Sequence, residues 1–285
     1  MYRKHTLLGS IIRHLVIWVF IAFALFPVLW IFSASINPTN NMNVQRLIPK
    51  TISWEHYVEL FTNPQHPFGI WLLNSIKISI VTSLLTVVLC ALAAYAFSRF
   101  RFKGRRVGLL GLLLVQMFPQ MLAMVAIYML LFQIGKVIPW LGLNTHLGLI
   151  MVYLGGAMGF NTWLMKGYFD TIPRSLEESA KVDGASQFQS FTRIILPLAK
   201  PILATIFVLS FISTYSEYIL ARVLLSDTQH YTLAVGLQLF ISNNWGNRWG
   251  TFAAGALIGA IPFLIVFALA QNLLVPGLTR GSVKG

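Results

Sequence analysis

The sequence predicts an all-α membrane protein with six transmembrane helices. Hydrophobic residues make up 56% of its 285 residues and charged residues only 10%, and the mean hydropathy is +0.72. A soluble domain would carry roughly 25% charged residues, and a disordered chain would combine high charge with low hydrophobicity. The apolar tracts are long enough to cross a bilayer as helices, and they lack the strict alternation of β-barrel strands. These observations exclude a water-soluble globule and a disordered chain.

Six apolar tracts define the predicted spans. The first runs from about residue 13 to 36, and because no small-residue cleavage site follows it, we expect a retained span rather than a signal peptide. The others lie at about 71–98, 107–133, 147–165, 201–223 and 251–275. Pro27, Pro119 and Pro262 lie inside the first, third and sixth spans. Each proline frees a backbone carbonyl there and is expected to kink the helix.

The distribution of cations between these spans predicts their orientation. Lys and Arg number three in the N-terminal segment, five in each of the loops after the second and fourth spans, and two in the tail, which is 15 of 21. The opposite side holds Arg46, Lys50, Lys136, Arg222 and Arg248. Cytoplasmic loops carry the excess of Lys and Arg, so both termini are predicted to be cytoplasmic. The same distribution accounts for the net charge of +13 without a nucleic-acid partner.

The remaining polar residues form no catalytic or metal-binding motif. The six histidines lack metal-ligand spacing, no HExxH or CxxC sequence occurs, and the single Cys90 cannot form an internal disulfide. An intramembrane enzyme would need a nucleophile–base or metal pair within the spans, where only His14 and His146 lie at the edges. No Walker sequence is present. We therefore expect no enzymatic activity, metal or cofactor in this chain, and any ATP must be bound by another chain.

The cytoplasmic loop at about 166–200 contains four of the eight acidic residues and predicts two short helices. The sequence SLEE at 175–178 matches a capping box, and Gly184 is expected to end the first helix because glycine adopts the left-handed cap without a Cβ penalty. SQFQ at 186–189 matches a second capping box, and Pro197 is expected to break the second helix. A membrane-surface helix would favour cations, so this acidic pair of helices predicts docking to a protein. A hairpin that only stabilises the bundle is the alternative.

The same loop contains a spaced set of residues that matches a family signature. In the pattern E-A-A-x3-G-x9-I-x-L-P, the corresponding positions are Glu178, Ser179, Ala180, Gly184, Ile194, Leu196 and Pro197. This pattern resembles the "EAA" loop of binding-protein-dependent ABC importer permeases, with Ser179 replacing the middle alanine. Tracts at 143–146, 231–236 and 277–285 extend the resemblance along the chain, towards the shorter permease subunits of maltose and maltodextrin importers.

The resemblance implies a type I ABC importer permease fold, formed as one permease domain over residues 1–285 of a multi-pass protein of a prokaryotic inner (cytoplasmic) membrane. The motif residues up to Gly184 would form a coupling helix in the cleft of an ATPase, and those from Ile194 to Pro197 would anchor its return to the membrane. The implied partners are a second permease subunit in a heterodimer, a dimer of ATPase subunits that binds ATP and Mg, an extracytoplasmic sugar-binding protein, and the oligosaccharide. The tail at 276–285 would insert between the ATPase subunits.

The fifth span contains a polar cluster that is a candidate for the translocation path. Its members are Ser210, Ser213, Thr214 and Glu217, whose spacing predicts a single helix face. Ionisable groups cost about 2.5–3.5 kcal/mol at the bilayer centre, so such a face is expected to contact the bundle or water. An interhelical hydrogen bond, or a pairing of Glu217 with Lys77 or Arg222, is the structural alternative.

Two further sets of residues are weaker candidates. Gln116, Gln120 and Tyr128 flank Pro119 in the third span, where they either line the path or repair the proline break. Asn243, Asn244 and Trp245 belong to a long outer loop, whose composition suits contact with carbohydrate or with the binding protein; an exposed interfacial loop is the alternative.

A half-size, ion-coupled secondary sugar transporter is the rival function. Six spans could form half of such a fold, but the sequence contains neither an internal repeat nor a chain of buried acids for proton relay. The sugar follows only from the resemblance, and trehalose, another disaccharide or a longer glucan remain open.

Overall fold

The computed structural model describes residues 7–40, 45–242 and 247–279, with side chains at all of these except 7, 8, 120 and 275–279. The described chain is helical. Its α-helices are α1 (Leu7–Ile36), α2 (Glu55–Thr62), α3 (Phe68–Arg99), α4 (Arg105–Gln116), α5 (Gln120–Val137), α6 (His146–Thr171), α7 (Ser175–Val182), α8 (Gln187–Ser190), α9 (Leu196–Leu198), α10 (Lys200–Ser216), α11 (Ile219–Leu224), α12 (Leu233–Gln238) and α13 (Trp249–Thr279). A 3-10 turn covers Pro139–Leu141, and a π-helical segment, Phe191–Ile195, joins α8 to α9.

Within the described ranges, four helices are each long and apolar enough to cross a membrane, namely α1, α3, α6 and α13. Two bent helix pairs raise the number of spans to as many as six. One pair is α4 with α5, whose break at 117–119 confirms the kink expected at Pro119. The other joins Gln187–Leu198 to α10 with a bend of 75°. The all-helical architecture with six tracts therefore agrees with the sequence.

The fifth span differs from the uninterrupted helix predicted at 201–223. The helix α10 ends at Ser216, Glu217 has an extended backbone (φ −69°, ψ 128°), and α11 begins two residues later. The Glu217 carboxylate accepts the backbone N–H of Leu220 at 2.7 Å and that of Ala221 at 3.0 Å. These are N–H groups that a helix start leaves without backbone partners. The prediction that Glu217 continues the helix face of Ser210 is therefore wrong.

The first helix of the cytoplasmic loop begins differently from the prediction. The residue before α7 is Arg174, and no side chain caps the helix, so the capping box predicted at 175–178 is wrong. Ser175 is already the first helical residue, and the Glu177 carboxylate binds Arg99 of α3. The end of α7 is as predicted, because Gly184 adopts a left-handed φ of 84°.

The second helix of the loop starts as predicted but ends later. Ser186 accepts the N–H of Gln189 at 3.2 Å, and the Gln189 side chain accepts the N–H of Ser186 at 2.8 Å, which confirms the second capping box. The break expected at Pro197 is wrong, because Pro197 lies inside α9. The chain instead turns at Ala199 (φ −90°, ψ 4°), and Pro201 follows in the first turn of α10, where a missing N–H costs no helical bond.

The described residues fall into two compact units. The first comprises Met1–Phe68 with Gly236–Ala260. In it, His56 is buried, and its ring bonds to the carbonyl of Asn37 at 2.8 Å and to the hydroxyl of Thr251 at 3.2 Å. Thr251 also donates to Glu59 at 2.7 Å, and Glu59 pairs with Arg248. This polar cluster joins the segment after α1, the helix α2 and the start of α13.

The second unit comprises Gly69–Val235 with Ile261–Gly285. Its core contains small residues of α3, such as Cys90 and Ala94, packed with Phe169 of α6 and with Phe191 and Ile195 of the π-helical segment. Lipid is as apolar as these side chains, so helices in a membrane associate through close packing, which small residues permit. The cytoplasmic loop is therefore continuous with the membrane core.

The contacts of the second unit agree with the predicted orientation. At one end, Arg99 and Glu177 meet, and both lie in segments predicted to be cytoplasmic. At the other end, the side chain of Asn144 accepts the N–H groups of Ser226 and Asp227, each at 3.0 Å. Both of these segments are predicted to be external, so each end of the unit joins loops of one side.

The helices α4 and α6 approach closely at Gly159. A Cβ atom at this residue would lie 2.5 Å from the carbonyl oxygen of Leu112 and 3.0 Å from the Gln116 side chain. A Cβ at Gly155, one turn earlier on α6, would meet nothing within 4 Å. The two glycines therefore offer a matched test of this crossing.

We expect Gly159→Ala to lower the thermal stability of the purified protein and Gly155→Ala to leave it unchanged or raise it. Alanine improves helix propensity by about 1 kcal/mol at both sites, but overpacking at Gly159 costs about 1–3 kcal/mol. Thermal unfolding in detergent measures the difference. Equal melting temperatures for the two variants would contradict the close approach of α4 and α6.

Candidate functional site

The first candidate site is the cytoplasmic hairpin, defined here as residues 175–198 from α7 to α9. One of its faces is uncovered and carries Glu178, Ser179 and the turn at Gly184, all exposed. Val182 is 88% exposed and Phe188 is 69% exposed on the same hairpin. Large apolar side chains that remain this exposed are available for contact with another protein. The exposed face thus combines a carboxylate, small residues and apolar side chains.

The remaining motif residues lie at the edge of the membrane core. Ala180, Ile194 and Leu196 are half-buried, and Pro197 is exposed. The buried side chains of the second helix are Ser190 and two large apolar ones, Phe191 and Ile195. The apolar anchoring of the second helix therefore comes mainly from Phe191 and Ile195, which are not motif positions.

The opposite face of α7 is held by a buried ion pair. Glu177 binds the Arg99 guanidinium at the end of α3, and the two side chains are only 6% and 5% exposed. Tyr95 donates its hydroxyl to the second Glu177 oxygen at 3.0 Å, and Arg99 also donates to the carbonyl of Ile172 at 3.0 Å. Gln187, the first residue of α8, donates to the Tyr95 hydroxyl. We call Tyr95, Arg99, Glu177 and Gln187 the inner cluster.

This pair makes the hairpin and the membrane helices depend on each other. Removing one member of a buried ion pair costs about 3–5 kcal/mol, because the other charge is left without compensation. Sequence reasoning missed it, since Arg99 was counted only as a topology determinant and Glu177 only as part of a capping sequence. A signal was available: Tyr95 and Arg99 are spaced i, i+4 on one face at the end of a span.

The neighbouring polar contacts join the same helix ends but not the hairpin. Ser98 donates to Asp170 at 2.6 Å, and Lys166 binds the other Asp170 oxygen at 2.5 Å. This i, i+4 pair is partly exposed, and such pairs contribute only about 0.3–0.5 kcal/mol. The pair is more exposed than the inner cluster, and it is linked to that cluster through the Ser98 hydroxyl, which accepts an N–H of Arg99 at 3.0 Å.

The second candidate site is a polar cavity of about 380 Å³ in the second unit. Its polar lining comes from the three helices α4, α6 and α10 and from the residue that follows α10, and it consists of Gln116, Tyr153, Asn161, Ser210, Ser213, Thr214 and Glu217. The volume falls at the lower end of the range for small-molecule sites. The structure brings together all four candidates of the fifth span and Gln116 of the third. Tyr153 and Asn161 were missed, because single polar residues in an apolar helix show no spacing pattern.

Glu217 accepts three hydrogen bonds at the cavity wall, of the roughly four that a carboxylate can accept. Besides the two amides of α11, it accepts the Tyr153 hydroxyl at 2.6 Å. Arg222, one of the partners considered from the sequence, instead donates to the Tyr231 hydroxyl at 2.8 Å and lies over that ring. The interhelical hydrogen bond expected as the structural alternative is therefore present, and it also orients the carboxylate at the cavity wall.

Gln116 bonds to the neighbouring helix rather than to the proline break. Its amide donates to the carbonyl of Gly156 at 2.5 Å and accepts the N–H of Phe160 at 2.7 Å. These two backbone groups are four residues apart on α6, the spacing that a helical hydrogen bond joins. Tyr128 lies on α5 and is 39% exposed, away from the cavity lining.

Several candidates fall outside the described part of the chain. These are the side chain of Gln120 and the residues Asn243, Asn244 and Trp245.

The external segment that precedes residues 243–245 is described, and side chains of α3 bind its backbone. Trp71 donates to the carbonyl of Thr228 at 2.8 Å, and Asn74 donates to that of Gln229 at 2.9 Å. In this segment, the N–H of Gln229 lowers the pKa of the exposed Asp227 carboxyl. Among the described residues, no group of three acidic, His or Cys side chains could hold a metal ion.

Known proteins resemble the chain along almost its whole length. The maltose/maltodextrin transport system permease protein MalG of Escherichia coli strain K12 is 45% identical over 285 residues, which cover 96% of this chain and 95% of the relative. The protein of the same name from Yersinia pestis is 46% identical and covers 98% of this chain and 94% of its own length. These are relatives across the full chain, not local matches.

Solved structures agree with the fold. A chain from the crystal structure of a bacterial ABC transporter involved in the import of the acidic polysaccharide alginate is 28% identical, covers 95% of this chain and 98% of its own, and superposes with a TM-score of 0.75. A chain from the bacterial alginate ABC transporter in complex with an alginate pentasaccharide-bound periplasmic protein is 21% identical, with a TM-score of 0.64 over 94% of this chain and 93% of that one.

The family match covers most of the chain, including the hairpin and the cavity. Residues 86–280 match the family described as the binding-protein-dependent transport system inner membrane component. The matched region contains the exposed motif face of the hairpin, and the full-length relatives extend the similarity to the segments before residue 86. This chain therefore belongs to the family of inner membrane components of binding-protein-dependent transport systems.

Proposed function

We propose that this chain is a permease subunit of an ATP-driven ABC importer for maltose or maltodextrin-like oligosaccharides. The observation that carries the proposal is the two-faced hairpin, with the motif residues Glu178, Ser179 and Gly184 exposed and Glu177 buried against the end of α3. The names of the relatives at 45–46% identity support this class of sugar. The chain itself is non-catalytic in this proposal, and a separate ATPase binds ATP and Mg.

The proposed partners follow from the uncovered surfaces. The exposed face of the hairpin docks a dimer of ATPase subunits from the cytoplasm. None of the most apolar window of Gly9–Ile36 is buried within the described chain, which leaves it available to lipid and to a second permease subunit. An extracytoplasmic sugar-binding protein docks on the other side, where Asn243, Asn244 and Trp245 are our proposed contacts. The chain acts as one permease domain, whose tail at 276–285 reaches the ATPase subunits.

The proposed mechanism is mechanical. ATP closes the ATPase subunits, and a docked hairpin must move with them. Because Glu177 and the buried Phe191 and Ile195 tie the hairpin to α3 and α6, the movement reaches the membrane helices and favours an outward-facing arrangement. An effector shifts such an equilibrium only if it binds the two states differently. The docked hairpin face would supply that difference.

The polar cavity is the proposed segment of the translocation path in this chain. Its hydroxyl, amide and carboxylate groups can donate to and accept from sugar hydroxyls. Glu217 lies at a helix break, and irregular backbone at membrane depth is tolerated only where it is buried in protein or lines a cavity. In this proposal the cavity contacts one part of an oligosaccharide, and the second permease subunit forms the rest of the path.

The coupling role predicts that Gly184→Val impairs ATPase docking and sugar uptake while membrane insertion stays normal. A β-branched residue at a left-handed φ is strained by about 1–2 kcal/mol, which corresponds to roughly a 5–30-fold loss of the docking-competent conformation. Gly104 is the matched control, because its φ is also 84° and its surroundings are equally open, but it lies in the other cytoplasmic loop.

Co-purification of the ATPase, uptake of labelled maltodextrin, and the amount of inserted protein are measured separately. Normal docking together with normal uptake in Gly184→Val would remove the coupling role. Equal losses in Gly104→Val and Gly184→Val would show that backbone strain in any inner loop is sufficient. Uptake that persists in ATP-depleted vesicles under an ion gradient would instead favour the secondary transporter.

The path assignment predicts that Glu217→Ala and Ser213→Ala raise the sugar concentration needed for half-maximal uptake. Each removes a cavity group that can bond to a sugar, which is worth about 0.5–1.5 kcal/mol for a neutral partner and more for a charged one. Ser216→Ala is the control, because Ser216 bonds to the carbonyl of Ile212 on its own helix and does not line the cavity. Unchanged uptake kinetics at equal expression would exclude Glu217 and Ser213 from the path.

A further inference from the structure

The inner cluster brings three chain segments to one tyrosine hydroxyl. Tyr95 of α3 donates to Glu177 of α7 at 3.0 Å and accepts from Gln187 at the start of α8. Arg99, one turn further along α3, binds the other oxygen of Glu177 and the carbonyl of Ile172, the residue after α6. The end of α3 therefore contacts both helices of the hairpin and the end of α6 through a single group of side chains.

The position of α7 depends on this cluster more than on any other contact. The helix has eight residues, no side-chain cap, and one buried residue, which is Glu177. Isolated helices of this length are marginal in water, so tertiary contacts must hold it. Leu176 and Val182, its large apolar side chains, are exposed. Within α7, Glu177 is consequently the buried contact to the membrane helices, and Arg174 just before the helix also donates to the carbonyl of Ser98 on α3 at 3.1 Å.

The second helix of the hairpin is held in a different way. Phe191 and Ile195 are buried among Tyr95, Phe169 and the small residues of α3. The ring centroids of Phe191 and Tyr95 lie 4.7 Å apart, and this ring contact does not involve the tyrosine hydroxyl. Weakening the inner cluster should thus release α7 while the second helix stays in the core. Variants of the inner cluster can therefore weaken the transmission of movement through α7 without removing the apolar contacts that keep the second helix folded.

We propose that Arg99, Glu177 and the Tyr95 hydroxyl are positioning residues that hold α7 rigidly to α3 and thereby set how much sugar moves for each ATP hydrolysed. This inference rests on the proposed function, because it assumes that the exposed face of α7 docks the ATPase. Glu178, Ser179 and Val182 on that face take no part in the cluster. Docking can therefore persist when the cluster is weakened, and the ATPase can then close without carrying α3 with it.

Two conservative variants test the inference. Glu177→Gln keeps the size of the side chain and removes the charge that Arg99 binds. Tyr95→Phe removes only the hydroxyl and keeps the ring contacts with Phe191 and Phe100. Asp170→Asn is the matched control, because it removes a charge at the same inner end that does not contact the hairpin, while the asparagine oxygen can still accept from the Ser98 hydroxyl to which Arg99 also donates.

The complete complex, with the ATPase and the sugar-binding protein, is reconstituted in vesicles, and ATP hydrolysis and maltodextrin uptake are measured on the same preparation. In Glu177→Gln we expect retained hydrolysis and a fall of at least tenfold in sugar moved per ATP, because loss of a hydrogen bond to a charged group corresponds to a factor of about 10 to 100. Tyr95→Phe should show a smaller fall, because the Arg99 pair remains. Asp170→Asn should keep the wild-type ratio.

An unchanged ratio in both cluster variants would overturn the inference. Parallel losses of hydrolysis and uptake would also overturn it, since they indicate a role in assembly alone, and so would an equal fall in Asp170→Asn. If the Glu177→Gln complex does not assemble, the inference is tested by the amount of sugar moved per ATP in Tyr95→Phe, and an unchanged amount would overturn it. A wild-type complex that binds no ATPase or imports no sugar would instead contradict the proposed function, so the two failures are distinguishable.

Discussion

A buried ion pair between Arg99 and Glu177 links a cytoplasmic helix to helices embedded in the membrane. Burying both charges is costly unless their remaining hydrogen-bonding groups are also satisfied, and Tyr95 and the carbonyl of Ile172 provide those bonds. The pair turns one face of α7 inward, which leaves the motif face outward. The division of the hairpin into an anchored and an exposed face depends on this interaction, and the proposed coupling depends on that division.

A second carboxylate is accommodated in the membrane region by similar means. Glu217 accepts hydrogen bonds from the Tyr153 hydroxyl and from two backbone amides. These bonds offset the free-energy cost of placing a carboxylate in an apolar environment. The same bonds begin a new helix after α10 and form part of the polar cavity wall. Glu217 therefore explains the break in the fifth span and adds a carboxylate to the polar surface that Ser210, Ser213 and Thr214 of α10 already form.

Features encoded locally could be predicted from the sequence, whereas those decided by tertiary contacts could not. The spans follow from hydropathy, Gly184 from its backbone freedom, and the cap at Ser186 from a side chain that reaches only its own helix. The predicted cap at Ser175 is absent because α7 begins one residue earlier than the capping pattern implies, with Arg174 before it bonded to Ser98 and Glu177 bonded to Arg99, 78 residues away in sequence. The cavity was half predicted, since the residues of the fifth span show a spacing pattern but the isolated Tyr153 and Asn161 do not.

The most direct test of the coupling role is a photo-crosslink from the exposed face of the hairpin. A crosslinking amino acid at Val182, which is 88% exposed, should form an adduct with the ATPase subunit in native membranes. The same amino acid at Val137, which is 82% exposed at the predicted external end of α5, should form none. An adduct from Val182 alone is the result we predict. No ATPase adduct from Val182, or equal adducts from both positions, would contradict the central claim that the hairpin docks an ATPase from the cytoplasm.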